Sequence, residues 1–140
     1  MTEDDIKLVI AEVCARLPYG LKFHFYPDAE SVLKDNRQKE VIATATGYDG
    51  DYQCVETKTE GFNVRNIKLY LRPMSSMTEE EKYTYRHMLG GTINSEGESI
   101  MFVYVEDLPV VIDWLIKNKF DYRGMIEKGL AIDLATLYND

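Results

Sequence analysis

The pattern Asp49-Gly50-Asp51 places two carboxylates close together. Carboxylates at such spacing can act as a general acid and base or bind a metal ion. An EF-hand loop needs further oxygen ligands at alternate positions and a closing Glu, which residues 52–54 do not supply. Asp-Gly between two β-rich segments is also typical of a type I′ hairpin turn. We therefore interpret Asp49-Gly50 as a turn and predict no metal site.

Histidine and cysteine are scarce. The chain has two histidines, His24 and His87, and two cysteines, Cys14 and Cys54, which is too few and too widely spaced for a zinc site. No G-x-S-x-G nucleophile motif is present, and Gly90-Gly91 lacks the Lys-Ser or Lys-Thr of a phosphate-binding loop. We expect reduced core thiols, no catalytic residue, no cofactor and no enzymatic activity.

Tyrosine is abundant, with ten copies in the chain, and it is enriched in protein interfaces because it offers rigid contact area. The segment 120–124 concentrates two aromatics, an acid, an arginine and a glycine. We predict Phe120, Tyr122 and Arg123 as binding residues for a protein partner. The alternative is a structural corner in which Asp121 caps the next helix and Arg123 pairs locally.

Composition limits the class of protein. The 140 residues are 45% hydrophobic and 29% charged, which is typical of a single globular domain over 1–140. The net charge of −8 repels phosphate backbones and disfavours generic nucleic-acid binding. No apolar run approaches the roughly 20 residues that span a bilayer, and Met1 precedes acidic residues. We expect a cytoplasmic protein with no membrane partner, and composition assigns no oligomeric state.

The first half predicts a helix followed by short strands. Apolar residues at helical spacing, with Thr2 as cap, predict a helix over 3–16 that ends before Gly20. Alternating residues predict a strand over 21–26, a polar loop with an optional helical turn over 28–39, and a strand over 41–48. The type I′ turn at Asp49-Gly50 would pair Ala45 with Cys54.

A second hairpin turns at 59–61, and the apolar phase shifts between residues 64 and 67, which indicates a bulge or break. These strands predict a small curled antiparallel sheet resembling an SH3-like barrel. The fold class is therefore α+β, with an N-terminal helix and two or three C-terminal helices.

The second half predicts those later helices. Two overlapping capping boxes, Ser76 with Glu79 and Thr78 with Glu81, start a helix that continues to residue 89. The apolar run 100–105 predicts a central strand. We predict a buried helix that contains Trp114 and begins after a cap at residue 107. A short helix over 122–128 and an apolar tail follow it.

Four stretches of the chain carry a resemblance: LYLRPMSSMTEEEK (69–82), DWL (113–115), FDYRGMIEKGLAI (120–132) and EVCARLPYG (12–20). In these stretches the chain resembles a family of small uncharacterised proteins found in gut anaerobic bacteria and in their phages and mobile elements. The family has no established activity, so the resemblance assigns no catalytic residue. It implies a phage or mobile-element context.

Taken together, these observations favour a non-enzymatic accessory protein that binds another protein. One alternative is a nucleic-acid-associated small-barrel module, for which Arg65, Lys68 and Arg72 line one strand region. Another alternative is an acidic inhibitor that mimics DNA, which would use the net charge of −8 directly. A small hydrolase is the least favoured class.

Overall fold

The computed structural model of the protein describes residues 1–35, 39–89, 92–93, 99–100 and 108–138. Its α-helices are α1 (Glu3–Arg16), α2 (Ala29–Asp35), α3 (Glu79–Met88) and α4 (Leu108–Lys117). Its strands are β1 (Lys22–Phe25), β2 (Val41–Thr44), β3 (Gly47–Asp49), β4 (Cys54–Glu56), β5 (Gly61–Asn63), β6 (Ile67–Leu71), β7 (Thr92–Ile93), β8 (Ser99–Ile100) and β9 (Ala131–Asp133). Short 3-10 helices span Leu17–Tyr19, Val64–Asn66, Met74–Ser76 and Leu134–Tyr138. This mixture confirms the α+β class.

Helix α1 has the predicted bounds. Thr2 caps it in a capping box: its hydroxyl accepts from the Asp5 amide, and the Asp5 carboxylate accepts from the Thr2 amide. The chain leaves the helix region at Gly20, whose φ of 72° lies in the left-handed region that favours glycine. Val9 and Val13 are fully buried, so this face of α1 packs on the main core.

The main sheet has the strand order β2-β1-β6-β9. Strand β1 is antiparallel to β2 and β6, but β9 runs parallel to β6, so the prediction of a purely antiparallel sheet is wrong. A second sheet has the order β3-β4-β5, and its Phe62 packs on Phe23 and Phe25 of β1 with ring centroids 5.5 and 4.9 Å apart. Neither sheet closes on itself among the described residues, so an SH3-like barrel is not confirmed.

The prediction of a type I′ turn at Asp49-Gly50 is wrong. Strand β3 pairs with β4 so that Asp49 lies opposite Cys54 and Tyr48 opposite Val55, which leaves a four-residue loop over 50–53. Gly50 does not have a positive φ; Gln53 does, at 50°. The Asp49 side chain instead accepts a hydrogen bond from the Asp51 amide at 3.0 Å, a local turn that competes with the tighter hairpin.

The remaining predictions for the first half have mixed outcomes. The predicted strand 41–48 is divided into β2 and β3, which belong to different sheets. In the predicted loop 28–39, the helical turn that the sequence allowed is the helix α2. The second hairpin is confirmed by the pairing of β4 with β5, and the phase shift between 64 and 67 is the 3-10 helix Val64–Asn66. The cysteines are free, but Cys14 is exposed rather than in the core.

In the second half, Thr78 and Glu81 form the capping box of α3, as predicted. The second predicted box, Ser76 with Glu79, is wrong, because the Ser76 hydroxyl donates to the Pro73 carbonyl. The end of that helix at 90–91, most of the predicted strand 100–105 and the cap at residue 107 lie outside the described residues. Helix α4 forms as predicted, but Trp114 is half-buried and Val110 is exposed, so the prediction of a fully buried helix is wrong. The short helix predicted over 122–128 is wrong, since these residues form mostly turns, and the tail contributes β9.

None of the helices that the structure describes combines the length and the apolar character that crossing a membrane requires.

Two glycine substitutions test the backbone assignment. Gly20 and Gly50 both have room for a methyl group, but only Gly20 has a positive φ. Gly20→Ala should lower the free energy of unfolding by about 1 kcal/mol, since a side chain in the left-handed region is strained. Gly50→Ala should be neutral or stabilise by up to about 1 kcal/mol, because it restricts the unfolded chain. Urea unfolding of both variants measures the difference, and a larger loss for Gly50→Ala would restore the type I′ turn.

Candidate functional site

A buried ion pair lies on the inner face of α1. Glu12 is 1% exposed and Arg16 3% exposed, and their spacing of four residues brings the side chains together across one helical turn. Arg16 Nε donates to Glu12 Oε2 at 2.6 Å, and Arg16 Nη2 donates to the carbonyl oxygen of Phe120 at 2.6 Å. The pair therefore joins the last turn of α1 to the segment that follows α4.

Two residues of that segment complete the surroundings of the Glu12 carboxylate. The Tyr122 hydroxyl donates to Glu12 Oε1 at 3.3 Å, and Arg123 Nε lies 3.0 Å from the same oxygen. The guanidinium carbons of Arg16 and Arg123 lie 5.9 and 5.6 Å from the centroid of the Tyr122 ring, within cation–π range. We call Glu12, Arg16, Tyr122 and Arg123 the Glu12 cluster.

Asp121 fixes the backbone that carries Tyr122 and Arg123. The residue is 6% exposed, and its carboxylate accepts from the amides of Met125 and Ile126 at 2.8 and 2.9 Å. The structural role predicted for Asp121 is thus present, although the residues it caps form turns instead of a helix. Because both carboxylate oxygens are used inside the fold, Asp121 is a positioning residue for the corner.

Arg72, at the end of β6, holds the other side of this corner. Its backbone pairs with the segment after α4: the Arg72 amide donates to the Lys119 carbonyl at 2.7 Å, and the Asp121 amide donates to the Arg72 carbonyl at 2.8 Å. Its guanidinium lies 4.2 Å from the centroid of the Phe120 ring and binds both carboxylate oxygens of Glu81. Strand β6, helix α3 and the corner are thereby tied together through one side chain.

The three predicted binding residues have different environments. Phe120 is 0% exposed and packs with Met77, Val111 and Leu115, so its side chain is part of the core and not of a contact surface. Tyr122 is half-buried, and the Arg123 side chain is 45% exposed. Of the predicted site, Tyr122 and Arg123 thus reach the surface, and the structure brings both of them to Glu12.

Sequence reasoning missed Glu12 and Arg16, although a signal was available. Both residues continue the buried stripe of α1, three positions after Val9 and Val13 respectively. Opposite charges four residues apart are common on exposed helix faces, where such pairs contribute little. On an apolar stripe the same spacing indicates a buried ion pair that needs partners from elsewhere in the chain.

Other residues that could do chemistry are placed apart from the Glu12 cluster. His24 lies on the main sheet, where its Nδ1 is 2.9 Å from the Tyr70 hydroxyl and its Nε2 is 3.0 Å from Glu40 Oε2. Glu40 directly precedes β2, so this contact joins β1 to the residue at the start of its neighbouring strand. Within the described part of the chain, no three His, Cys, Asp or Glu side chains are grouped so that they could hold a metal ion.

Comparison of the chain with models of known protein families, with curated proteins and with solved structures finds no match.

The pH dependence of stability tests the Arg72–Glu81 contact that supports the corner. Hydrogen bonds from Arg72 lower the pKa of Glu81 to about 2, whereas an unfolded glutamate has a pKa of about 4.3. A lowered pKa in the folded state stabilises the fold above pH 4.3, and this stabilisation disappears as the pH falls towards 2. Glu81→Gln should therefore lower the melting temperature at pH 7 by roughly 3–6 °C. The difference in melting temperature from the unmodified protein should shrink between pH 5 and pH 2. Thermal melts at intervals of about one pH unit measure this change.

The matched control is Glu80→Gln, one position earlier in the same helical turn and exposed. Its smaller deficit should reflect only the loss of a charge near the helix start. If the loss of melting temperature in Glu81→Gln stayed constant from pH 7 to pH 2, Arg72 would not stabilise the charged form of Glu81 over the neutral form.

Proposed function

We propose that the protein is a non-enzymatic protein-binding module, an accessory protein of phage or mobile-element type, and that Tyr122 and Arg123 anchor its partner. The observation that carries the proposal is the state of Arg123. Its Nε is held against a buried carboxylate, while its side chain as a whole is 45% exposed.

Arg123 is preorganised for binding. Its Nε donates to the Tyr122 hydroxyl at 3.3 Å and lies 3.0 Å from Glu12 Oε1, which restrains the side chain over the Tyr122 ring. The contact with Tyr122 also raises the pKa of Arg123, so the group stays charged. A restrained arginine loses less side-chain entropy when a partner binds than a free surface arginine does.

The two terminal nitrogens of Arg123 define the kind of group that fits. Within the described residues the structure records no hydrogen bond to Nη1 or Nη2 of Arg123, and these nitrogens form the planar edge that pairs with a carboxylate through two parallel bonds. Tyr122 adds a half-buried aromatic surface beside that edge. The partner contact we propose is therefore an Asp or Glu side chain of another protein, bound edge to edge by Arg123.

Affinity capture with tagged variants tests the proposal. The unmodified protein and Arg123→Lys are compared, since lysine keeps the charge beside Glu12 but loses the planar fork. A partner bound as proposed should be retained by the unmodified protein, and its affinity for purified Arg123→Lys should be about tenfold weaker or more. The melting temperature should change little, because Arg16 still pairs with Glu12.

Arg86→Ala is the matched control, since Arg86 is an exposed arginine in the last turn of α3. It should bind every partner as tightly as the unmodified protein does. If each captured protein bound Arg123→Lys and the unmodified protein equally well, the corner would be structural and the proposal would fail.

A further inference from the structure

A cleft lies at the end of the fold where α1 stops, β1 starts and β6 ends. It encloses about 380 Å³ including its open mouth, and Arg16, Lys22, Lys119, Tyr19, Tyr70 and Tyr138 are among its lining residues. We call it the Arg16 cleft.

Arg16 has one nitrogen that the fold does not use. Its Nε binds Glu12 and its Nη2 binds the Phe120 carbonyl, but its Nη1 is buried and has no hydrogen-bond partner among the described residues. The whole residue is only 3% exposed. A buried charged donor without an acceptor is costly, so such a group calls for a specific explanation. A ligand oxygen that reaches Nη1 from the cleft, after a small local shift of the atoms that cover it, would supply the missing acceptor.

The charges around the cleft have one sign. Among the residues that the structure describes, the charged lining residues are Arg16, Lys22 and Lys119, and no described Asp or Glu side chain lines the cleft. The chain as a whole carries 24 acidic residues and a net charge of −8. Continuing the pairing of β1 with β6 places Lys22 opposite Tyr70, so its backbone position is fixed by the sheet and not by a loop. This local excess of positive charge favours an anion.

Lys119 occupies a backbone position that favours glycine. It follows α4 with a φ of 68°, its amide donates to the Ile116 carbonyl and the Phe120 amide donates to the Leu115 carbonyl. These two bonds form a Schellman motif, in which the left-handed residue is usually glycine. Stability alone would therefore select Gly at this position. Lysine at a strained position beside the cleft is a second indication that its charge is used there.

We propose that the Arg16 cleft binds a small organic phosphate monoester. Three separate cationic groups suit the three terminal oxygens of a tetrahedral phosphate better than the two oxygens of a planar carboxylate, which favour one arginine fork. Tyr19 and Tyr138 are exposed and line the cleft, which supplies aromatic surface for the organic part of the ligand. The site is distinct from the surface of Arg123, and it does not depend on the proposed protein partner.

Titration of the folded protein with three probes at constant ionic strength and pH 7.5 tests the proposal. The probes are inorganic phosphate, phenyl phosphate and benzoate, and the readouts are isothermal calorimetry and backbone amide NMR shifts. Phenyl phosphate should bind saturably, with shifts that concentrate at residues 16–22 and 116–120. It should bind more tightly than inorganic phosphate, which lacks the ring, and more tightly than benzoate, which lacks the tetrahedral anion.

Variants locate the site. Lys119→Gly removes the charge and relieves the backbone, so it should raise the melting temperature while weakening phenyl phosphate binding about tenfold or more. Lys22→Gln should weaken binding to a similar degree. The matched control is Lys117→Gln, an exposed lysine in the last turn of α4 that does not line the cleft, and it should bind as the unmodified protein does.

The double variant Glu12→Gln/Arg16→Met tests Arg16 itself, because it removes the ion pair as a unit while leaving Lys22 and Lys119 in place. Its melting curve shows whether it folds, and folded protein should lose saturable binding. If it does not fold, Lys119→Gly and Lys22→Gln decide the matter. Equal affinity of these two variants and Lys117→Gln, equal binding of benzoate and phenyl phosphate, or no saturable binding at millimolar concentrations would overturn the proposal.

Discussion

A carboxylate that is removed from water must be surrounded by donors and positive charge, and Glu12 meets this requirement with residues from distant parts of the chain. Arg16 is one turn away on the same helix, whereas Tyr122 and Arg123 follow α4. Removal of one partner from such a group leaves an uncompensated charge, which typically costs about 3–5 kcal/mol. The position of the 120–124 corner against α1 therefore depends on the Glu12 carboxylate.

The same ion pair connects the two surfaces that we propose to be functional. On one side Glu12 restrains Arg123, the proposed contact for a protein carboxylate. On the other, Arg16 lines a cleft whose charged lining residues, within the described part of the chain, are all cations. Arg16 has no conformational freedom left, because Nε and Nη2 are both bound. A ligand in the cleft would thus meet a preorganised charge, and ordering of the corner and of the cleft would be coupled through the Glu12 cluster.

Local rules predicted the parts of the fold that are determined by neighbouring residues. The bounds of α1, the capping box at Thr78 and the break between 64 and 67 follow from patterns within one or two turns of chain. The register of β3 with β4 did not follow, since an Asp49 side-chain bond and a left-handed Gln53 replaced the expected turn. The parallel pairing of β9 with β6 joins residues some sixty positions apart. The residue pattern of a short apolar strand does not indicate which distant strand it pairs with.

The candidate site was predicted in part for the same reason. The composition of 120–124 indicated a corner, and Arg123 is exposed there, but nothing in that segment shows that Phe120 is core or that Glu12 lies beneath Tyr122. Those facts are tertiary. The one indication of them in the sequence of α1 is that two charged residues continue its buried stripe.

The most direct measurement is a double-mutant cycle between Glu12 and Arg16. Urea unfolding of the unmodified protein, Glu12→Gln, Arg16→Met and the double variant gives the coupling energy of the pair. If the buried pair holds the corner as described, the single changes should be strongly non-additive, with a coupling energy of about 2 kcal/mol or more. Changes that add to within about 0.5 kcal/mol would contradict the account, because the two side chains would then behave as independent surface residues.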